Sequence, residues 1–223
     1  MVKVLTFLKR KAGMPVDDFQ RYWRVEHPKV VTRLPGVRRY IQSQVLPKTY
    51  DKGEPVWDGI AEVWADDTNA LRAMTQSAVH PELVADEAKF IDRATMGIIV
   101  TEDHVAKDSA PSAQAVKGVE FFSRRGDLTV EGFQRHWRQM HAEIAASIPG
   151  VTRYVMSATR LSAYANGRTP AYDGAALMWF DSPEALKSAA GSIEYKALVA
   201  DRANFLATPQ PPFILTTEHV VVA

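Results

Sequence analysis

A segment near the N-terminus recurs in the second half of the chain, and this duplication limits the fold more than any other feature. Of the 27 positions in 14–40, 12 are identical in 128–154. Self-similarity of this kind indicates one structural unit used twice. We therefore predict two domains, at 1–106 and 116–223. The stretch 107–115 between them is predicted to be a linker, because its Ala, Ser and Pro residues can bury little apolar surface.

Within each copy the apolar pattern predicts the order β-α-β-β-α-β. In the first copy, strands are expected at 2–9, 37–46, 59–64 and 97–105, and helices at 15–34, 68–77 and 82–92. This order is that of a ferredoxin-like unit, in which helices cover one face of an antiparallel sheet. The second copy could cover the other face. We predict an α+β protein in which two ferredoxin-like βαββαβ repeats pair as an intramolecular pseudo-dimeric α+β barrel.

The composition excludes several classes of function. The 27 basic and 26 acidic residues are interspersed, so no basic stripe is available for nucleic acid. The absence of Cys excludes disulfides and thiolate chemistry. No Gly-rich phosphate loop or nucleophile elbow is present, and no apolar run reaches the roughly 20 residues of a membrane helix. We expect a soluble, cytoplasmic protein that binds neither nucleic acid nor a membrane.

Two histidines at equivalent places are the sharpest candidates for chemistry. His27 and His141 each follow a Trp by four residues and a Phe by eight, on the apolar stripe of a predicted helix. A buried imidazole can act as a general acid or base, and the same pattern is also typical of a structural core histidine. The predicted catalytic pair is His27 and His141, and the predicted substrate-binding walls are Trp23, Trp137, Phe19 and Phe133.

The surroundings of the two histidines differ in sequence. Glu26 precedes His27, whereas Met140 precedes His141. If Glu26 orients His27, Met140 cannot do the same for His141, and the two sites would be inequivalent.

Tyr40 and Tyr154 follow the repeated Pro-Gly-Val-x-Arg turn and complete the predicted catalytic set. A phenol there could donate a hydrogen bond to a substrate oxygen, although an aromatic residue in a strand more often serves packing. The six histidines include no H-x-H or H-x-x-x-H pair, so no protein-built metal site is predicted. Haem remains open as a cofactor, because a single axial histidine suffices to hold it.

The run Phe-Gln-Arg-x-Trp-Arg-x-x-His, followed by Pro-Gly-Val-x-Arg-Tyr, resembles the signature of the EthD domain. The resemblance covers both copies and implies membership of the dimeric α+β barrel group. EthD proteins are associated with bacterial ether degradation, which is a catabolic setting. Their fungal relatives act as decarboxylases, and the family is often grouped with oxidoreductases. The resemblance therefore implies a pocket between helices and sheet for a small aromatic, lactone or ether-derived molecule. The second copy departs from the family pattern at Met140 and Ala142.

We hypothesise an enzyme that acts on a small hydrophobic organic molecule without a nucleotide cofactor. His-dependent proton transfer, as in isomerisation or decarboxylation, and cofactor-free oxidation both fit the candidate residues. The alternatives are a non-catalytic carrier or accessory protein for a hydrophobic metabolite, and a haem-binding barrel. A homodimer of the tandem chain is a further expectation for its partners.

Overall fold

Eight antiparallel strands form the framework of the protein. The computed structural model describes all 223 residues. Its strands hydrogen-bond in the order β1-β3-β2-β8-β5-β7-β6-β4 and form a closed barrel. The predicted fold, an α+β barrel built from two ferredoxin-like repeats, is therefore confirmed.

The first copy contains four strands and four helices in the predicted order. The strands are β1 (Val2–Leu8), β2 (Arg39–Val45), β3 (Gly59–Ala65) and β4 (Gly97–Asp108). The helices are α1 (Val16–Val25), α2 (Pro28–Val31), α3 (Thr68–Gln76) and α4 (His80–Phe90). A polar residue begins α3, because the Asp67 carboxylate accepts a hydrogen bond from the amide of Ala70 at 2.8 Å.

The second copy repeats this order. Its strands are β5 (Val116–Phe122), β6 (Val151–Thr159), β7 (Gly174–Phe180) and β8 (Phe213–Val222). Its helices are α5 (Val130–His136), α6 (Ala142–Ser147), α7 (Pro183–Ala189) and α8 (Ile193–Phe205). Serine side chains start the last two helices, as Ser182 and Ser192 accept from the amides of Ala185 and Tyr195.

The last strand of each copy pairs with the second strand of the other copy. Residues of β8 pair with β2, and residues of β4 pair with β6. The two compact units consequently differ from the two sequence repeats. One unit comprises 1–100 with 216–223, and the other comprises 101–215. The repeat boundaries predicted from sequence stay a prediction.

Two elements differ from their predicted lengths. The helix predicted for 15–34 is divided into α1 and α2, because Pro28 has no amide hydrogen to continue the helical bonding. The amide of His27 instead bonds to the carbonyl of Tyr22, five residues earlier. In the second copy a π-helical turn at Trp137–His141 occupies the same place between α5 and α6.

Strand β4 extends to Asp108 and thus enters the predicted linker.

A repeated Asp-Gly pair fixes the start of the third strand in each copy. The Asp58 carboxylate accepts hydrogen bonds from the amide of Arg10 at 2.8 Å and from the hydroxyl of Tyr50 at 2.6 Å. Gly59 then lies directly under the ring of Trp23, and a Cβ atom there would approach that ring to 2.5 Å. The indole of Trp137 covers Gly174 in the same way. Glycine is required here because α1 packs so closely on the sheet.

No helix of the protein combines the length and the apolar character needed to cross a membrane.

We predict that Gly59→Ala destabilises the protein, because the added methyl group overlaps the buried Trp23 ring and a backbone carbonyl. Overpacking of this kind costs about 1–3 kcal/mol. Gly126→Ala is the matched control, since a Cβ at that position meets no atom within 4 Å. Urea unfolding measures both free energies. An equal effect of the two substitutions would contradict the close contact between α1 and β3.

Candidate functional site

The first copy contains an apolar cavity between its helices and its sheet. The cavity has a volume of about 340 Å³. Side chains from the helix-facing sides of β1, β2 and β3 form its floor, and α2, α3 and α4 form its walls. Most of the lining is aliphatic or aromatic, and it includes Val4, Leu8, Trp23, Val31, Val63 and Leu71. Pockets of this size and composition commonly hold small organic molecules.

His27 borders the cavity and is held by a carboxylate from α4. Its Nδ1 atom lies 2.8 Å from Oδ2 of Asp86. The same carboxylate accepts hydrogen bonds from the Tyr22 hydroxyl at 2.6 Å and from the Lys89 ammonium at 3.1 Å. A neutral imidazole beside an ionised carboxylate carries its proton on Nδ1. The basic lone pair is then on Nε2, the ring nitrogen left for a molecule in the cavity.

The electrostatic environment keeps His27 neutral and Asp86 ionised. Burial lowers the pKa of His27 below its ordinary value of 6.5, and the hydrogen bond to Asp86 opposes this only in part. Burial would raise the pKa of Asp86, but hydrogen bonds from Tyr22, His27 and Lys89 outweigh burial and lower that pKa. At neutral pH the imidazole is therefore a base ready to accept a proton.

Tyr40 also borders the cavity, and two donors point at its hydroxyl oxygen. The Trp23 indole nitrogen donates to it over 3.3 Å, and the Gln42 amide donates over 2.9 Å. Because the oxygen accepts twice, its own O–H remains to donate to a third atom. Burial raises the pKa of Tyr40 above its ordinary value, so the phenol stays protonated.

Glu87 is an acidic residue on the same cavity wall, one residue after Asp86. Its carboxylate pairs with Nε of Arg93 at 3.1 Å. Burial raises the pKa of Glu87 above its usual range, and Arg93 opposes this rise.

The second copy keeps the histidine and its carboxylate partner. Nδ1 of His141 lies 2.9 Å from Asp201, and His136 contacts the same carboxylate at 2.9 Å, where the first copy uses Tyr22. Burial lowers the pKa of His141 as it does that of His27. Tyr154 accepts from the Trp137 indole at 2.9 Å. The hydrogen bonds of the two sites are thus nearly the same.

At the equivalent place in the second copy the space is much smaller. A space of only about 40 Å³ remains there. The carboxylate of Glu120, which lines this space, forms an ion pair with the guanidinium of Arg202. Glu120 pairs with Ala176 on β7 as Thr6 pairs with Ala61 on β3. Arg202 follows Asp201 as Glu87 follows Asp86.

The apolar residues beside this space also differ between the two copies. Phe213 packs against Gly118, where a Cβ would approach its ring to 2.9 Å. The first copy has Ile98 and Val4 at the equivalent places, and both line its cavity. Substitutions on the sheet and on the helix together therefore decide which copy has an open pocket.

The structure brings three of the predicted site residues together, since Trp23, His27 and Tyr40 all line the cavity. Phe19 is fully buried in the cluster beneath them and is not part of the lining. Phe133, Trp137, His141 and Tyr154 are all buried and do not line the small space of the second copy.

The hypothesis that Glu26 orients His27 is wrong. Glu26 is exposed and pairs with Lys29 at 2.7 Å, while Asp86 holds the imidazole. Asp201 holds His141 in the same way. The second copy therefore keeps an orienting carboxylate, although Met140 stands where the first copy has Glu26. The identity of Asp86 and Asp201 in the repeat alignment was the available signal for this role. Glu87 could not be found from the repeat alignment, because the second copy has Arg202 at that position.

No group of three or more His, Asp or Glu side chains is placed to hold a metal ion.

The comparison with protein families identifies the class of the chain. The EthD domain model matches residues 11–94 and again residues 125–209. The chain therefore belongs to the EthD domain family and contains two copies of that domain. No curated protein is significantly similar to it.

Solved structures share the barrel at low sequence identity. An anthrone oxidase-like protein is 12% identical with a TM-score of 0.65, over 100% of this chain and 94% of the other. A candidate monooxygenase from Lactobacillus acidophilus NCFM is 12% identical with a TM-score of 0.56, over 99% and 93%. A candidate chlorite dismutase is also 12% identical, with a TM-score of 0.57 over 99% and 95%. At these identities the similarity establishes the fold.

We predict that NMR of ¹⁵N-labelled imidazoles finds His27 neutral at pH 7, protonated on Nδ1 and with a pKa below 6.5. Asp86→Asn should lower this pKa further, because the carboxylate is the group that favours the charged form. Asp18→Asn, which removes an exposed carboxylate from α1, is the control. A His27 proton on Nε2, or a pKa above 6.5, would show that Asp86 does not orient the ring in this way.

Proposed function

We propose that the first copy is an enzyme site, at which His27 removes a proton from a small hydrophobic organic molecule. The observation that carries this proposal is an imidazole that is held at Nδ1 by Asp86 and borders an apolar cavity. A neutral base in an apolar pocket is well suited to abstract a weakly acidic proton.

The size of the cavity limits the substrate. A water molecule occupies about 30 Å³ of liquid, so 340 Å³ corresponds to roughly eleven waters. This is the volume of a molecule with about a dozen non-hydrogen atoms, such as a bicyclic aromatic compound. The apolar walls favour such a compound over a sugar or an amino acid.

Each polar side chain has a role in this proposal. Nε2 of His27 accepts the proton, and the positive charge that forms on the ring is stabilised by Asp86. The Tyr40 hydroxyl donates to an oxygen of the substrate, where negative charge develops as the proton leaves. Trp23 orients Tyr40 and forms part of the wall. The resulting carbanion or enolate could isomerise or react with an oxidant, and neither step requires a nucleotide.

The proposal places the reaction in the first copy. Roles for His141 and Tyr154 in catalysis, and for Phe19, Phe133 and Trp137 in substrate binding, stay predictions from sequence. The closed ion pair of Glu120 and Arg202 supports a structural role for the second copy.

Proton abstraction by His27 can be tested with 2-tetralone, a bicyclic ketone of suitable size with acidic C–H bonds. We expect the protein to exchange its α-protons for deuterium in D₂O faster than buffer does, as followed by NMR. His27→Gln should lower this rate by about 10²-fold or more while calorimetry shows unchanged binding. His104→Gln on β4, outside the cavity, is the control.

Binding without exchange would make the protein a carrier, which is the alternative function. Full exchange by the His27→Gln protein would remove the histidine from the mechanism. The haem hypothesis is tested by adding hemin, and a Soret band that depends on His27 would contradict the proposal.

We also predict that the ion pair of the second copy closes the first cavity when it is transferred there. The double variant Thr6→Glu/Glu87→Arg should lose binding of 2-tetralone by at least about tenfold, since the two new side chains fill the apolar space. Glu82→Arg makes the same glutamate-to-arginine exchange at an exposed position of α4, and this variant should bind 2-tetralone normally. Unchanged binding by a folded double variant would show that the ligand lies elsewhere.

A further inference from the structure

Glu87 is a carboxyl group on the cavity wall that proton abstraction by His27 leaves unused. Its side chain is only 15% exposed, and its one ion-pair partner, Arg93, is 39% exposed. Burial is the main influence on its acidity and raises the pKa of the carboxyl group. Such a carboxyl holds a proton at a higher pH than an ordinary glutamic acid does.

In the second copy, the position equivalent to Glu87 belongs to a buried ion pair. There Arg202 replaces Glu87, and Glu120 replaces Thr6, so that opposite charges meet inside the fold. The first copy has the uncharged Thr6 and keeps a carboxyl group beside open space. In the first copy the partner of Glu87 is Arg93, which also lines the cavity and is partly exposed, so the carboxyl group stays beside the open space.

Glu87 and His27 both line the same cavity. Asp86, the residue before Glu87 on α4, holds the imidazole of His27, so α4 positions both acid–base groups. The titratable and charged groups around Glu87 are Arg93 after α4, Asp86 and His80 on α4, His27 before α2 and Tyr40 on β2.

We propose that Glu87 is the second acid–base group of this site, and that the substrate is an enolisable carbonyl compound isomerised by moving a proton between two of its atoms. This inference rests on the proposed function and specifies its reaction class. Enzymes that transfer a proton in this way commonly use two titratable groups whose different environments keep one protonated and the other unprotonated.

The reaction balances without an oxidant or reductant. In a β,γ-unsaturated carbonyl compound, the C–H bond next to the carbonyl breaks and its proton goes to Nε2 of His27. Its electron pair moves into a dienolate, which extends over the former β,γ double bond and whose oxygen accepts a hydrogen bond from Tyr40. Glu87 then gives its proton to the γ-carbon of the substrate, where a new C–H bond forms as the electrons return. Substrate and product are isomers. His27 has gained the proton that Glu87 lost, and exchange with water restores both groups.

The test uses 3-cyclohexenone, a β,γ-unsaturated ketone whose conjugated isomer is measured by ultraviolet absorbance. The wild-type protein should accelerate the conversion. Glu87→Gln should lower the rate by about 10²-fold, as expected for loss of a general acid, while 2-tetralone binding and α-proton exchange persist. Glu82→Gln, exposed on the same helix, is the matched control.

The pH profile separates a chemical role from a structural one. The rate should fall at low pH, as His27 becomes protonated, and at high pH, as Glu87 loses its proton. Glu87→Asp should keep part of the activity and the high-pH decline, and Glu87→Gln should remove that decline from any residual activity.

The outcomes distinguish this inference from the proposed function. Normal conversion by Glu87→Gln, or proton exchange without any conversion by the wild-type protein, would overturn the role of Glu87 and leave the role of His27 intact. A wild-type protein that neither binds nor exchanges 2-tetralone would contradict the proposed function itself.

Discussion

The contact between one tryptophan and one glycine in each copy sets the distance between the first helix and the sheet. Trp23 lies on Gly59, and its indole nitrogen reaches the Tyr40 hydroxyl. His27 follows one turn later at a break in the helix, beside the Asp86 carboxylate that α4 supplies. The position of the imidazole, its tautomer and the orientation of the tyrosine are all consequences of this packing. Local breaks in a helix of this kind recur at functional sites.

The two copies share this framework and differ in what lies beyond it. Both keep the histidine, the carboxylate, the tryptophan and the tyrosine, so these residues alone do not produce a binding site. The open volume depends instead on side chains at the far wall, where Thr6 and Glu87 face space and Glu120 and Arg202 close it. Duplication permits this difference, because a densely packed second copy can stabilise the protein while the cavity in the first copy lowers its stability.

The sequence predicts the framework better than the pocket. Repeated residues such as Trp23, His27 and Tyr40 were found because identity between the copies draws attention to them. The sequence suggests Glu26 as a partner for His27 because the two residues are adjacent, whereas Asp86 reaches His27 across 59 residues. The break at Pro28 follows from proline chemistry. The resemblance implies a pocket, but the difference in cavity volume between the copies could not be foreseen, since it depends on many side chains from different elements and none of them is distinctive alone.

Xenon pressurisation of a crystal tests most directly whether only the first copy is open. Xenon occupies apolar cavities and needs no knowledge of the natural ligand. We expect xenon density in the first copy, against Trp23, Val31 and Leu71, and none beside the ion pair of Glu120 and Arg202. Equal occupancy of the two copies, or xenon only in the second, would contradict the proposal that the first copy binds a ligand and the second copy has a structural role.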